Sequence, residues 1–187
     1  MADTQELAAG EERGRAAERL WARSMTVIIV ALVGVVVYTT VHWGWHPPSQ
    51  QETIDSTSLH KGGEFSETGL GTFIAPDGSA VVRILAQQYA FIPSCVLVPA
   101  GVPVKMRVVS ADVVHGFLIQ GTNVNAMVVP GYVTTVRTSF REARDHAMPC
   151  HEFCGVGHQA MWARVRVVEA GRFPFEEAKA KGVSCAQ

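Results

Sequence analysis

The chain has 187 residues with 16 basic and 17 acidic side chains, a formal net charge of −1, and 48% apolar residues. That balance leaves no basic footprint for nucleic acid, and the length suits one domain plus an appendage. The mildly apolar average conceals two unlike parts.

Residues 1–24 carry Arg13, Arg15, Arg19 and Arg23 among five acids, which reads either as a short helix or as a disordered tail. From Met25 to Val41 no charge occurs, and Thr26 to Val37 is almost wholly aliphatic. Residues 25–45 are therefore predicted to form a transmembrane helix, since about 20 apolar residues cross a bilayer and hydrocarbon forces the backbone to satisfy its own hydrogen bonds. The next basic residue beyond the run is Lys61. The positive-inside rule then puts the N-terminus in the cytoplasm and the remainder outside, with Trp43 and Trp45 as interfacial anchors. No small-residue cleavage site follows the run closely, which favours a retained anchor over a signal peptide. Removing the four arginines and five acids of 1–24 from the totals leaves twelve of each sign beyond the membrane.

Residues 46–79, polar and rich in Ser, Thr and Gln, read as a linker or irregular arm. From Ala80 onward short β-branched runs are broken by turn signals. Strands are predicted over 80–88, 94–99, 103–110, 115–119, 124–129, 132–140 and 161–169, with turns at Gly101, Gly121-Thr122-Asn123 and Pro130-Gly131. Such spacing argues for an all-β domain over 80–170, an antiparallel β-sandwich or barrel. In the last strand Met161, Ala163, Val165 and Val167 alternate with Trp162, Arg164 and Arg166, so Met161 starts on the core face. Within the 171–187 tail, Pro174 to Lys181 reads as a short surface helix.

The chemistry is concentrated in Met148-Pro-Cys150-His-Glu152-Phe-Cys154-Gly-Val-Gly-His158-Gln-Ala-Met161-Trp162. On a helix, Cys150, Cys154, His158 and Met161 would form one apolar stripe. Pro149, Gly155 and Gly157 argue instead for a loop, in which shared metal chemistry explains the convergence of two thiols, an imidazole and a thioether. Sulfur ligands select copper, zinc or iron–sulfur centres, and the thioether tilts the choice to copper. Upstream, His115 in Asp112-Val-Val-His115-Gly-Phe117 supplies a further nitrogen. A lone histidine there is more often a satisfied core residue, but the loop's need for another donor makes it a candidate ligand. His42, His46, His60, His146 and His151 are kept out of the set, although His151 adjoins Cys150. Cys95 reads as a small core residue and Cys185 as part of the tail, and spacing alone leaves a disulfide between them open. No nucleophile, base and orienting acid suggest hydrolysis.

The pattern Cys-x-x-x-Cys-x-x-x-His-x-x-Met, preceded by Asp-Val-x-His-Gly-Phe, resembles the CuA domain of cytochrome c oxidase subunit II over about 88–169, with segments similar to the B-type haem-copper oxidases. The resemblance implies a cupredoxin-like fold and a binuclear copper (CuA) centre. In it Cys150 and Cys154 bridge two coppers, His115 and His158 bind one each, and Met161 and the Glu152 backbone carbonyl are weak axial ligands. It further implies an electron-entry subunit in a prokaryotic inner membrane. Electrons would come from cytochrome c and leave for a haem of catalytic subunit I, where oxygen is reduced and protons are pumped; a small accessory helical subunit is a further expected partner. Phe153 and Trp162, flanking the ligands, are candidate partner-facing groups.

Glu152 matches an acid that helps hold magnesium at the subunit boundary in other oxidase types, while the B-type pattern has an amide there, so a magnesium site stays open. Tyr132 stands where many relatives carry arginine, and that contact is not carried over. A nitric oxide reductase subunit would share every ligand. A structural zinc module would not need Met161, and a mononuclear blue-copper carrier would not need Cys154.

Overall fold

The computed structural model describes residues 4–43 and 51–185. Two compact units divide the chain near Gln50. The first is α1, Thr4–Trp43, a single uninterrupted helix. At 1.5 Å per residue its 40 residues measure about 60 Å, twice the roughly 30 Å of a hydrocarbon core. Most of the segment expected as a tail or short helix is thus the N-terminal half of the same helix that carries the apolar run. Inside that run the hydroxyls of Thr26, Thr39 and Thr40 donate to carbonyls three or four residues back, which removes unpaired donors from an apolar surrounding. Trp45 and His46 lie outside the described residues, as does the side chain of Trp43.

The second unit is a β-sandwich. One sheet runs in the order β1 (Gly71–Ile74), β2 (Ala80–Gln87), β5 (Pro103–Ser110), β8 (Thr134–Ser139), with β3 (Ala90–Ile92) also paired to β2. The other runs β4 (Cys95–Pro99), β10 (Trp162–Val168), β9 (Asp145–Pro149), and β6 (His115–Leu118) forms a hairpin with β7 (Asn125–Val128). The expected antiparallel sandwich is mixed in detail, because β2–β5 and β4–β10 pair in parallel. Gly101, Gly121 and Gly131 have positive φ at the turns that end β4, β6 and β7, where a side chain would be strained.

Period-two burial builds the core. Ala80, Val82, Ile84 and Ala86 of β2 face inward, as do Ala163, Val165 and Val167 of β10. They meet Phe91, Met106, Phe117, Ile119, Val128 and Met148, and the same cluster takes in Cys150, Cys154 and Met161. The metal-ligand candidates are therefore part of the domain's packed interior.

Two boundaries differ from expectation. The arm expected as an irregular linker over 46–79 belongs, from Gln51 on, to the β unit: Leu59, Phe65 and Leu70 pack on Val109 and Val133, and β1 completes the first sheet. Its polar Ser-, Thr- and Gln-rich composition is what makes it look solvated in sequence. Glu52 and Glu64 instead close on the buried guanidinium of Arg107, and Arg83 adds a second contact to Glu64 at 3.2 Å. The C-terminal segment carries the expected short helix, α2 (Phe175–Ala180), but is no loose tail. Phe173, Ala178 and Val183 form a small core, Val183 bridges Thr72, and Cys185 is disulfide-bonded to Cys95 with Cα atoms 5.4 Å apart. Cys95 is accordingly a cross-link rather than a buried core thiol.

Candidate metal centre

Three chain segments converge at one end of the sandwich. β9 delivers Cys150, whose backbone N–H donates to the Met161 carbonyl at 2.9 Å, so the loop between them is closed at its neck. The next amide, His151 N–H, donates to the Gly116 carbonyl at 2.9 Å, which lays the loop against β6. A Cβ on Gly116 would stand 2.9 Å from the Glu152 nitrogen and 2.7 Å from its Cγ. Only a residue without a side chain lets the loop come this close. The loop ends in a 3-10 turn, His158–Ala160, whose Met161 N–H donates to His158 O at 3.1 Å. No helix forms between Cys150 and Met161 other than this single turn, in keeping with the loop reading.

The candidate ligand atoms face one another. Cys150 Sγ lies 3.9 Å from Cys154 Sγ, 3.8 Å from His115 Nδ1 and 3.3 Å from the Glu152 carbonyl oxygen. Cys154 Sγ lies 3.5 Å from His158 Nδ1 and 3.7 Å from Met161 Sδ. Each thiol thus has an imidazole nitrogen within 4 Å, and the two weak donors, a thioether and a carbonyl, sit on different sulfurs. His115, Cys150 and Cys154 alone bring ligand atoms within 4.8 Å of one another. All six residues singled out in the sequence meet here: His115, Cys150, Glu152, Cys154, His158 and Met161.

The setting is dry. His115 and Met161 are fully buried, and Cys150 and Cys154 nearly so. Burial, together with the neighbouring Cys150, pushes the Cys154 thiol up to about 11, so a metal cation entering the cradle displaces a proton from it. Soft sulfur donors, imidazoles and a thioether form a donor set that fits copper. Both cysteines are free thiols and so available as ligands.

Two supporting residues had no role assigned from sequence. Asp112 Oδ1 sits 2.8 Å from His115 Nε2, leaving Nδ1 to face the sulfur. Burial opposes ionisation of Asp112, but the N–H groups of Gln88 and Val113 and the imidazole of His115 outweigh it and hold the carboxyl below its usual range. Gln88 donates its backbone N–H to Asp112 Oδ2 at 2.7 Å and its side-chain amide to the Cys154 carbonyl. The motif holding Asp112 was visible in sequence; Gln88, 66 residues before Cys154, carried no local signal.

The histidines outside the set stay outside it. His146 is buried, donates Nδ1–H to the Gln120 carbonyl at 2.8 Å and accepts from Arg144 Nε at 3.3 Å, a satisfied core residue. His151 and His60 are exposed, and His42 stacks on Tyr38 in α1. Around the cradle, Phe153 (77% exposed), Val156 (88%) and Trp162 (53%) form an apolar rim.

Comparison with known proteins bears on this geometry. A model of the cytochrome c oxidase subunit II periplasmic domain matches residues 76–168. A cytochrome c oxidase subunit 2 of Thermus thermophilus is 30% identical over 154 residues, spanning 81% of this chain and 92% of that one. The chain belongs to the cytochrome c oxidase subunit II family. A second Thermus thermophilus subunit 2 is 32% identical over 123 residues, 66% of this chain and 91% of the other. A chain of a heme-copper terminal oxidase dimer solved by cryo-EM superposes with a TM-score of 0.50 at 26% identity, covering 81% of this chain and 99% of that one. Among the described residues one helix, α1, is long and apolar enough to cross a membrane, and the segment matched by the periplasmic-domain model lies within the sandwich.

Proposed function

We propose that this subunit II is the electron-entry point of a respiratory haem-copper oxidase, taking electrons from cytochrome c and passing them to a haem of catalytic subunit I for reduction of oxygen to water with proton pumping. The supporting observation is the pair of sulfurs 3.9 Å apart, each with its own imidazole nitrogen within 4 Å. Two copper ions bridged by two thiolates would supply a compact centre that takes up and releases one electron with little rearrangement. Cys150 and Cys154 would be the bridges, His115 and His158 the terminal ligands, and Met161 and the Glu152 carbonyl the weak axial donors.

The chain's own residues do the rest. Asp112 keeps the His115 ring oriented, and the β6–β9 contact and the closed neck between Cys150 and Met161 hold the sulfurs in place. The buried surroundings exclude water, whose reorganisation would otherwise oppose charge movement. The apolar rim of Phe153, Val156 and Trp162 fits a donor that docks through apolar contact, consistent with the even charge of the exported part. The Glu152 carboxylate is the group through which a magnesium ion at the subunit boundary would be held.

Copper-loaded full chain in detergent tests the assignment. Two coppers per chain and a seven-line electron paramagnetic pattern are expected. A four-line pattern with one copper sinks the binuclear reading, and a colourless zinc-loaded protein sinks the electron-transfer reading altogether. Copurification with a haem-bearing catalytic chain, and consumption of oxygen rather than nitric oxide, tests the acceptor.

A further inference from the structure

We propose that the dipeptide Gln88-Tyr89, in the turn between β2 and β3, is a positioning element that presets the cradle before metal arrives. The proposal rests on His115 and Cys154 being ligands. These two lie on separate segments, β6 and the loop after β9, and a floppy approach of one to the other would leave the site to be assembled by the metal itself. Gln88-Tyr89 touches both. Its Gln88 N–H holds Asp112 Oδ2 at 2.7 Å while the other oxygen of the same carboxylate holds His115 Nε2 at 2.8 Å. The Gln88 side-chain amide donates to the Cys154 carbonyl, so one residue is bonded toward both halves of the ligand set.

Tyr89 completes the clasp through shape. A Cβ on Gly157 would lie 2.7 Å from Cγ and Cδ2 of the Tyr89 ring. Gly157 has φ −89°, which any residue adopts, so it is the ring and not the backbone conformation that leaves no room for a side chain there. At Gly155 both constraints act: φ is +133°, and a Cβ would stand 2.6 Å from Tyr89 Oη. The ring therefore lies flat on the glycine segment between Cys154 and His158, and fixes the span between these two ligands. Tyr89 remains 40% exposed; burial of the ring is not its main contribution.

Thiol kinetics on the copper-free full chain, with the Cys95–Cys185 disulfide intact, test this without any metal. Cys150 and Cys154 are the only cysteines outside a disulfide, so reaction with an aromatic disulfide reagent reports opening of the cradle. Gln88→Ala and Tyr89→Ala are each expected to speed modification about tenfold, the effect of losing one net hydrogen bond or its equivalent, whereas Tyr89→Phe stays near the parent rate. Gly157→Ala should also speed it in the parent chain but add nothing on top of Tyr89→Ala, because the clash needs the ring. Where Tyr89→Ala folds poorly, Tyr89→Leu, which keeps apolar bulk but not the flat ring, serves in the same cycle. After copper loading, Gln88→Ala should broaden the hyperfine pattern, which loss of stability elsewhere would not do. Unchanged thiol rates, or strictly additive effects of Gly157→Ala and Tyr89→Ala, overturn the proposal. A chain that binds no copper yet keeps the coupled thiol kinetics overturns the functional assignment and leaves the clasp standing.

Discussion

Asp112 and His115 form a pair in which a carboxylate oxygen sits 2.8 Å from Nε2 and the opposite ring nitrogen, Nδ1, lies 3.8 Å from Cys150 Sγ. The pair spans one short stretch of chain just before and at the start of β6, and the Gln88 N–H fixes the other carboxylate oxygen at 2.7 Å.

Replacing Asp112 by Ala removes that restraint and leaves Nε2 without its partner in a fully buried ring. Copper affinity is expected to fall about 10–100-fold, the usual effect of losing an outer-shell partner of a metal-bound imidazole. Competition with a calibrated copper chelator measures it. An unchanged affinity would mean that the ring is held by packing alone.

The two kinds of sulfur separate by role. On the proposed binuclear centre, Cys150→Ser would remove one bridge and is expected to abolish the two-copper spectrum, leaving at most one copper per chain. Met161→Leu keeps a similar volume in the core and is expected to retain two coppers while raising the reduction potential, since the weak axial ligand is one of the main levers on it. Metal analysis and redox titration distinguish the two. Equal mild effects would undo the division.

The arm predicts an acid-sensitive contact. Hydrogen bonding to the Arg107 guanidinium, partly opposed by burial, lowers the pKa of Glu52. A depressed folded-state value means that the stabilisation is fully present above the ordinary carboxylate range and is lost as pH falls through the lowered value. Glu52→Gln is therefore expected to lower Tm at neutral pH and to flatten the Tm profile between about pH 5 and 3. A profile parallel to that of the parent would show that the contact contributes nothing.

The disulfide closes a loop of 90 residues in sequence separation. Its restriction of the unfolded chain is worth about 4.6 kcal/mol on the loop-entropy model, so Cys185→Ser should lower the Tm of the β unit by about 15 °C. Calorimetry before and after selective reduction checks it. Copper uptake at low temperature should be unaffected, because Cys95 and Cys185 are not among the ligands.

Much of this was legible in sequence because the periodicities were undisturbed. Strands β2 and β10 alternate cleanly, and Cys150, Cys154, His158 and Met161 announce themselves by type and spacing, with His115 as the upstream nitrogen; Glu152 came only with the family resemblance. Strand β9 was missed because His146, a polar residue at an inward position, breaks the apolar alternation of Asp145 to Pro149; its hydrogen bonds to Gln120 and Arg144 make that burial tolerable. Strands β1 and β3 have four residues or fewer, too short to show a period. The arm looked like a linker because it is rich in Ser, Thr and Gln, and the Arg107 that Glu52 and Glu64 close on lies more than 40 residues away. The same distance effect hid the Cys95–Cys185 bond.

The uninterrupted run of α1 from Thr4 to Trp43 makes the part of the helix ahead of the apolar stretch a lever. Some 20 residues project about 30 Å at 1.5 Å each. A tilt of about 20°, ordinary for a single membrane helix, would carry the tip sideways by roughly 10 Å. The displacement falls unevenly on the arginines: Arg13 stands about 18 Å ahead of Met25 and Arg23 about 3 Å, so the same tilt shifts the first by roughly 6 Å and the second by only about 1 Å.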